Sequence, residues 1–281
     1  MITVRVALFL LIGALCHAKP FVTVHFLGQL GNQMFQIATA SAVAWDHDAD
    51  PLFPELSVCS GLDIPKNSRY FFYNVKRGGL PRAVKTLYKE TGHEYAPIPY
   101  APDLELSGYF QSEKYFSHHK GRILKLFAPH PVLQKRVNRL YGKLLKENVT
   151  VGLHVRTYNR EDPSHEVFAL CSRSYFEEAV ALFPEDALFI VCSDDIGWCK
   201  RNLSGLCKRM LFVEGNSYEI DFWLLSFCHH QIITNSTFSW WAAYLNKNPE
   251  KIVVAPRKWF TPRLKKEDYD IVPEDWITLD N

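Results

Sequence analysis

Residues 150–156 read Thr-Val-Gly-Leu-His-Val-Arg, and this stretch decides the fold class of the chain. Its first six residues predict a short apolar strand, and similar strands alternate with helices towards the C-terminus. Strands are predicted at 150–155, 187–192, 210–213, 231–234 and 251–255, and helices at 174–183, 219–228 and 239–246. Such alternation is typical of parallel sheets that helices cover on both faces, so we expect an α/β protein.

The N-terminal part begins with the same kind of unit. Residues 22–27 alternate apolar and polar side chains and predict a half-buried strand, which Gly28-Gln-Leu-Gly31 follows as a tight turn. Residues 32–45 are mostly small or apolar and lack Pro and Gly, which predicts a buried helix. Residues 51–115 show no clear order. A basic amphipathic helix over 133–146 then leads to a domain boundary expected near 146–149.

Composition narrows the function classes. The chain has 281 residues, of which 22% are charged and 47% hydrophobic, with a formal net charge of +2. This balance is that of an ordinary globular protein with one or two domains. No strongly basic domain and no zinc-finger spacing is present in the sequence, so we expect no nucleic-acid partner.

The N-terminus resembles a targeting signal. Arg5 precedes an apolar run over 6–16, and Cys16-His17-Ala18 has the pattern of a signal-peptidase site. Because the run is far shorter than the roughly 20 residues of a membrane span, residues 1–18 favour a cleaved signal peptide over a short membrane anchor. A plain apolar leader to the first strand is the remaining alternative.

Six cysteines follow Cys16: Cys59, Cys171, Cys192, Cys199, Cys207 and Cys228. They can pair as disulfides in an exporting compartment or stay as buried thiols. Asparagines 148, 202 and 235 each begin a glycosylation sequon, which matters only on a eukaryotic secretory route.

Open parallel sheets bind ligands beyond the carboxyl ends of their strands, which selects four loops. In the first, Gly28 and Gly31 allow close backbone approach, and Asn32 and Gln33 offer amides at a helix N-terminus. The alternative is a plain turn with Asn32 as helix cap. In the second loop, His154 and Arg156 point to one side of the strand end.

Arg156 can form a forked contact with a phosphate, and His154 can orient it or move a proton. The alternative for Arg156 is an ion pair with Asp162 or Glu161. In the third loop, Asp194 and Asp195 suit ribose hydroxyls or a guanine edge, or else cap a helix.

The fourth loop begins a helix with four polar residues. Asn235, Ser236, Thr237 and Ser239 combine hydroxyls with backbone N–H groups at that helix start. This combination predicts a phosphate cradle, with simple capping as the alternative.

These motifs together carry a family resemblance. Gly28-Gln-Leu-Gly-Asn-Gln-Met-Phe35, His154-Val-Arg156, Ser193-Asp-Asp-Ile-Gly-Trp198 and 226–245, which includes Asn235-Ser-Thr-Phe-Ser-Trp-Trp, occur in family order between about residues 22 and 259. The chain resembles the alpha-1,2-fucosyltransferases, glycosyltransferase family 11. More distant likenesses extend to protein O-fucosyltransferases and alpha-1,6-fucosyltransferases.

The resemblance implies a GT-B-like α/β fold, with two Rossmann-like halves whose parallel sheets face a cleft. It implies transfer of L-fucose from GDP-beta-L-fucose to a galactose-terminated glycan, with inversion and without a metal or other cofactor. Residues 19–147 would form the acceptor side with the Gly-rich turn, and residues 148–281 would bind GDP-fucose.

The resemblance also implies residue roles. Arg156 and His154 would be catalytic, with Arg156 stabilising charge on the departing GDP. The donor-binding residues would be Asp194, Asp195, Asn235, Ser236, Thr237 and Ser239. Gly28, Gly31, Asn32 and Gln33 would lie near the fucose or the acceptor, and no metal ligands are expected.

One motif departs from the family pattern. The family commonly has His-x-Arg-Arg-Gly-Asp-Tyr, whereas this chain has Thr157 and Asn159 in place of the second Arg and the Asp, with Arg160 as a candidate substitute. Two other functions stay open: another GDP-sugar transferase, such as a protein O-fucosyltransferase, or a non-catalytic glycan- or nucleotide-binding module. A GDP-fucose enzyme with this leader would be membrane-associated or secretory, in a Golgi-like lumen in a eukaryote and at the cytoplasmic membrane face in a bacterium.

Overall fold

Two parallel sheets form the framework of the protein. The structure is a computed structural model that describes residues 18–92, 94–158, 161–264 and 270–281. The first sheet has the order β2-β1-β4-β3, and the second has the order β10-β9-β8-β5-β6-β7. The strands are β1 Phe21–His25, β2 Asp50–Pro51, β3 Thr86–Lys89, β4 Leu104–Ser107, β5 Thr150–Val155, β6 Leu188–Ser193, β7 Met210–Phe212, β8 His230–Ile232, β9 Val253–Pro256 and β10 Ile277–Leu279.

All ladder pairs between these strands are parallel. In the second sheet the chain starts at the centre with β5, moves outward through β6 and β7, and then returns to β8 on the other side of β5. This is the strand order of a doubly wound Rossmann sheet, whose ligand crevice lies where the order reverses. The predicted α/β class with parallel sheets is confirmed.

Nine helices are found in the described ranges. They are α1 Leu30–Asp46, α2 Glu55–Val58, α3 Ile64–Tyr70, α4 Lys120–Leu126, α5 Pro131–Glu147, α6 Arg173–Val180, α7 Ile196–Leu203, α8 Tyr218–Phe227 and α9 Thr237–Tyr244. The predicted elements are present, with ends that differ by no more than a few residues. The segment 51–115, which the sequence left without order, contains α2, α3, β3 and β4.

Helices α1 and α9 join the two sheets. The ring centroid of Phe35 in α1 lies 4.5 Å from that of Trp240 and 5.1 Å from that of Trp241, both in α9. At the start of the helices, a Cβ atom added to Gly31 would lie within 2.6 Å of three atoms of Thr237. Glycine is therefore required there, and the N-termini of the two helices lie side by side.

Helix α5 shows the predicted amphipathic pattern. Leu133 and Val137 are buried, and the basic side chains Lys135, Arg136, Arg139, Lys143 and Lys146 are exposed. The predicted basic amphipathic helix is confirmed, with its basic side chains on the solvent-exposed face. Leu140, an apolar residue of the same helix, is 49% exposed.

None of the described helices has the length and apolar character that crossing a membrane requires. Residues 1–17 of the predicted leader 1–18, which include the apolar run 6–16 and Cys16, lie outside the described residues. Its assignment as a signal peptide or anchor stays a prediction.

The cysteines of the described part are free thiols. Cys192, Cys199 and Cys228 are buried, and Cys59, Cys171 and Cys207 are partly buried. Burial raises the pKa of the Cys199 thiol to about 11 and that of Cys228 to about 12. None of these six forms a disulfide, so the thiol interpretation holds for them and the disulfide alternative is wrong, and the raised pKa makes the Cys199 and Cys228 thiols unreactive.

Candidate active site

A cleft of about 580 Å³ opens at the carboxyl ends of β1, β5, β6 and β8. The four loops selected from the sequence meet in it. The predicted site residues that line the cleft are Gly28, Gly31, Asn32, His154, Arg156, Asp194, Asn235, Ser236 and Thr237. Three others, Gln33, Asp195 and Ser239, do not line it. Parallel strands bring these loops together because their carboxyl ends share one edge of a sheet.

Arg156 follows β5 and is held from two directions. Its backbone N–H donates to Thr234 Oγ1 at 3.0 Å, and its Nη1 lies 3.3 Å from Asp194 Oδ2. The ion-pair partner is therefore Asp194, which differs from the alternative of Asp162 or Glu161. The guanidinium stays 40% exposed. Since a guanidinium carries five N–H donors, this ion pair leaves donors available for an anion.

Asp194 also binds the backbone of the segment that differs from the family motif. Its Oδ1 accepts a hydrogen bond from the Thr157 N–H at 2.9 Å. One carboxylate therefore orients the guanidinium and anchors the chain that follows it. Thr157 contributes through its backbone N–H, which any residue other than proline would supply at that position. Asn159 and Arg160, the other parts of the departure, are outside the described residues.

His154 is a buried, neutral group beside Arg156. It is 7% exposed, and its ring centroid lies 5.2 Å from that of Phe238. Burial lowers the pKa of His154 to about 4, with Asp194 opposing this shift and Arg156 adding to it. Its Nδ1 is buried and has no hydrogen-bond partner within the described part of the chain. At neutral pH this side chain can shape the cleft and exchange a hydrogen bond, but it carries no charge.

Tyr158 adopts a backbone conformation that favours glycine. Its φ is +53°, and it stands where the family motif has Gly. Its hydroxyl donates to the Asn235 carbonyl at 2.7 Å, and its ring stacks on Phe168 with centroids 4.3 Å apart. A left-handed tyrosine costs about 1–2 kcal/mol, and these contacts hold it in place. The family glycine is the signal that locates this position.

The Gly-rich turn presents Asn32 to the cleft. Gly28 has φ +68°, and a Cβ atom there would overlap the amide nitrogen of Asn32. Asn32 Oδ1 accepts a hydrogen bond from Gln111 Nε2 at 2.8 Å. The N-cap of α1 is Gln29, without a side-chain cap bond. The alternative that Asn32 caps this helix is therefore wrong.

Gln33 supports the turn from behind. Its side chain is fully buried, and its Nε2 donates to the carbonyl oxygens of Gly28 at 3.0 Å and Leu62 at 2.8 Å. Its Oε1 accepts from Asn67 Nδ2 at 2.8 Å. With donor and acceptor both engaged away from the cleft, the prediction that Gln33 lies against fucose or acceptor is wrong.

In the loop before α9, some residues stabilise the fold and others line the cleft. Asn235 is 1% exposed, and its Nδ2 donates to the carbonyl oxygens of Ala169 and Trp259. This amide ties three segments together, which agrees with the expectation that the third sequon is internal. Ser236 and Thr237 face the cleft beside the first-turn N–H groups of α9, which have no intrahelical acceptors.

Ser239 corrects the predicted donor set, whereas donor binding by Asp195 stays a prediction. The Ser239 hydroxyl is buried and donates to the Ser236 carbonyl at 3.0 Å, so it does not reach the cleft. Asp195 is the N-cap of α7, where its Oδ1 accepts from the Trp198 N–H at 2.7 Å. The capping alternative is confirmed for Asp195. Its side chain lines a neighbouring pocket that shares Arg156 and Asp194 with the cleft.

Sequence comparison assigns the family. A profile of the family described as Glycosyl transferase family 11 matches residues 83–280. The chain belongs to glycosyl transferase family 11. It is 32% identical to the alpha-1,2-colitosyltransferase of Escherichia coli over 189 residues, which are 63% of this chain and 63% of that protein.

A mammalian relative covers more of this family 11 chain. The galactoside 2-alpha-L-fucosyltransferase SEC1 of Bos taurus is 30% identical over 235 residues, which are 79% of this chain and 64% of that protein. The chain therefore spans just under two thirds of the length of these curated relatives.

Solved structures show the same architecture. The fucosyltransferase NodZ from Bradyrhizobium aligns with a TM-score of 0.54 at 15% identity, covering 80% of this chain and 93% of that chain. A mutant of Arabidopsis thaliana FUT1 in complex with GDP aligns with a TM-score of 0.51 at 18% identity, covering 84% of this chain and 70% of that chain. The family 11 chain has the expected GT-B-like fold.

The sequence missed part of the cleft wall. Tyr109, Gln111, Tyr218 and Asp221 line the cleft of this family 11 protein but stood outside the predicted set. Burial raises the pKa of Asp221, whose Oδ1 accepts from Asn216 Nδ2 at 3.0 Å. Tyr109 and Gln111 gave only a weak signal, because an aromatic and an amide residue after a short strand resemble any other surface loop, and Tyr218 and Asp221 lie in the first turn of α8 rather than in a strand-end loop.

The neutral state of His154 predicts a loss of stability in acid. The folded pKa of about 4 lies below the usual 6.5, so between these values the unfolded chain binds a proton that the folded chain does not. The stability that neutral His154 contributes to the folded chain is therefore complete above pH 6.5 and is lost as pH falls towards 4. We expect a loss of about 2 kcal/mol between pH 7 and pH 5 in urea unfolding.

His154→Gln should remove this component, whereas His47→Gln, a change at an exposed histidine, should leave it. An equal acid sensitivity in the His154→Gln variant would show that His154 is not the source.

Proposed function

We propose that this chain transfers L-fucose from GDP-beta-L-fucose to a galactose hydroxyl of a glycan, with inversion and without a metal ion. The observation that carries the proposal is Arg156, which Asp194 orients into the cleft that Ser236 and Thr237 also line. A diphosphate bound there would meet a guanidinium and the N–H groups of a helix N-terminus. Relatives named as fucosyltransferases support the choice of sugar.

The charge inventory of the cleft suits a departing diphosphate. In inverting transfer the acceptor oxygen forms a bond to the anomeric carbon as the bond to the GDP oxygen breaks, the proton of the acceptor hydroxyl is released to solvent, and negative charge grows on GDP. Arg156 is the one Lys or Arg among the described residues that line the cleft. Its charge and the first-turn N–H groups of α9 would stabilise that growing charge without rearrangement.

The two sheets would divide the substrates. The donor residues follow β5, β6 and β8, so residues 148–281 would hold GDP-fucose. Residues 19–147 bring the Gly28 turn and would form the acceptor side. Residues 1–18 would associate the enzyme with a membrane or direct it to the secretory pathway, with a Golgi-like lumen in a eukaryote and the cytoplasmic membrane face in a bacterium.

The proposal is tested by incubating the full chain with GDP-fucose and galactose-terminated oligosaccharides in the presence of EDTA. We expect a fucosylated oligosaccharide, with alpha linkage at the galactose 2-hydroxyl by NMR. Loss of product with EDTA and its return with Mg²⁺ would contradict metal independence. Transfer to a peptide hydroxyl instead would favour the protein O-fucosyltransferase alternative, and GDP binding without product would favour a binding module.

A second donor sugar has a specific observation in its favour. The Escherichia coli relative at 32% identity is named for colitose transfer, whereas the mammalian relative is named for fucose. A nucleotide-linked colitose donor in the same assay separates the two. A higher kcat/KM with the colitose donor than with GDP-fucose would identify colitose as the preferred donor sugar.

A further inference from the structure

The loop that follows β4, Gly108-Tyr-Phe-Gln111, forms part of the cleft wall on the side of the first sheet. Tyr109 and Gln111 line the cleft. Strand β4 pairs with β1, with Ser107 opposite His25, so the two chains leave the sheet side by side. The loop therefore lies next to the Gly28 turn, and the 2.8 Å bond from Gln111 Nε2 to Asn32 Oδ1 connects them.

The backbone of this loop is strained. Phe110 has φ +50°, in the left-handed region, although it carries a bulky side chain that is fully buried. Its ring packs 5.6 Å from that of Tyr115 and 6.4 Å from that of Tyr88. A non-glycine residue keeps such a conformation only where its surroundings over-determine it, and such residues concentrate at ligand-binding positions.

Glu90 supplies the strongest of these constraints. Its carboxylate accepts from the Tyr109 N–H at 2.6 Å and from the Phe110 N–H at 2.9 Å. A Cβ atom on Gly108 would lie within 2.6 Å of that carboxylate. Gln36 Nε2 donates to the Gly108 carbonyl at 2.9 Å from the buried side. Charge-assisted bonds to two successive N–H groups hold the loop in one shape.

This shape presents an apolar ring beside an amide pair. Tyr109 is 36% exposed, at a place where its ring can cover the apolar face of a pyranose. The Gln111–Asn32 bond uses one atom of each amide and leaves Asn32 Nδ2 as a donor and Gln111 Oε1 as an acceptor. Galactose offers a matching surface, because its axial 4-hydroxyl leaves the opposite ring face apolar while its other hydroxyls point outward.

We propose that Tyr109, Gln111 and Asn32 form the subsite for the galactose-type acceptor, and that Glu90 is the positioning residue that holds it. This inference rests on the proposed function for its ligand. The donor residues after β5, β6 and β8 contribute nothing to this wall, so the subsite binds acceptor independently of GDP. Loss of the subsite therefore raises the KM for acceptor and leaves GDP affinity unchanged.

The test compares Tyr109→Ala, Tyr109→Phe and Glu90→Gln with the native chain. Tyr109→Ala should raise the KM for lactose at least tenfold, with the Kd for GDP within twofold of native. Tyr109→Phe keeps the ring and should stay within threefold. Glu90→Gln, which weakens the hydrogen bonds to the Tyr109 and Phe110 N–H groups, should raise the KM for lactose about fivefold. Leu140→Ala is the control, since Leu140 is 49% exposed on α5 and lies outside the cleft lining.

A binding measurement separates this inference from the proposed function. Saturation-transfer NMR detects lactose on the native chain with GDP present, and the signal should disappear in Tyr109→Ala. Lactose binding through Tyr109 without any fucose transfer would overturn the proposed function and keep the subsite. Fucose transfer with an unchanged KM for lactose in Tyr109→Ala would support the proposed function and overturn the subsite. No lactose signal on the native chain, or an equal signal in Tyr109→Ala, overturns the subsite.

Discussion

Arg156→Ala is expected to lower kcat for fucose transfer by about 100- to 1000-fold, the usual cost of removing one donor that stabilises transition-state charge. The reason is local. Arg156 is the one Lys or Arg of the described cleft lining, so the growing charge on GDP would keep only the helix N–H groups. Initial rates at saturating GDP-fucose and acceptor measure the effect. The Kd for GDP should change less than kcat, because the charge is greatest in the transition state.

Two further variants make this prediction specific. Arg156→Lys keeps the charge but loses the fork that contacts Asp194 and an anion together, so its kcat should fall between native and Arg156→Ala. Arg173→Ala removes an exposed guanidinium that pairs with Glu177 at 2.8 Å within α6, and it should retain native kcat. If Arg156→Ala retained native kcat, the charge-stabilising role of Arg156 would have to be abandoned.

Gly31→Ala is expected to lower the free energy of unfolding by about 1–3 kcal/mol, the range for overpacked sites, and to reduce transfer as well. The added methyl group would lie within 2.6 Å of the Oγ1, Cβ and backbone C atoms of Thr237. A side chain can rotate away, but the backbone atom moves only if α9 moves. Because α9 begins at the cleft, the same shift displaces Thr237 and its neighbouring N–H groups from the proposed diphosphate position. Urea unfolding and kcat measure the two effects.

Gly121→Ala is the matched control. Gly121 lies in α4, and a Cβ atom there meets no other atom within 4 Å. Alanine in an unobstructed helix position should leave stability unchanged or raise it by about 0.5–1 kcal/mol. If both glycine variants behaved alike, the close approach of α1 and α9 would not be the cause. Thr237→Ala should restore part of the loss in Gly31→Ala, because it removes Oγ1 but leaves the backbone carbon.

The C-terminal half was predictable because its strands are short, apolar and regularly spaced. Residues 150–155 were placed without error, since every position of β5 is buried and the stretch is apolar or small apart from Thr150 and His154. Residues 51–115 gave no such signal. Strand β3 is mostly exposed and β2 has two residues, so both depend on pairing with β1 and β4 and carry little pattern of their own.

The site was predictable as a set of loops but not atom by atom. Arg156 and Asp194 were selected correctly as cleft residues, since strand ends in parallel sheets meet at one edge. Gln33 was selected for the same reason and turned out to bond away from the cleft. An amide one residue further along a helix points about 100° away around its axis, and loop position alone does not reveal the direction.

The sequence by itself determined the fold class, the order of the elements after residue 150 and the loops that meet at the cleft. Periodicity and strand-end chemistry are local properties, and they are complete in the chain. Only the tertiary structure decided that Asp194 pairs with Arg156, that Ser239 and Gln33 turn inward, and that Glu90 holds the loop beside Tyr109. The Arg156–Asp194 and Glu90–Tyr109 contacts join residues far apart in the chain, and the inward directions of Ser239 and Gln33 follow from how α1, α9 and the two sheets pack together.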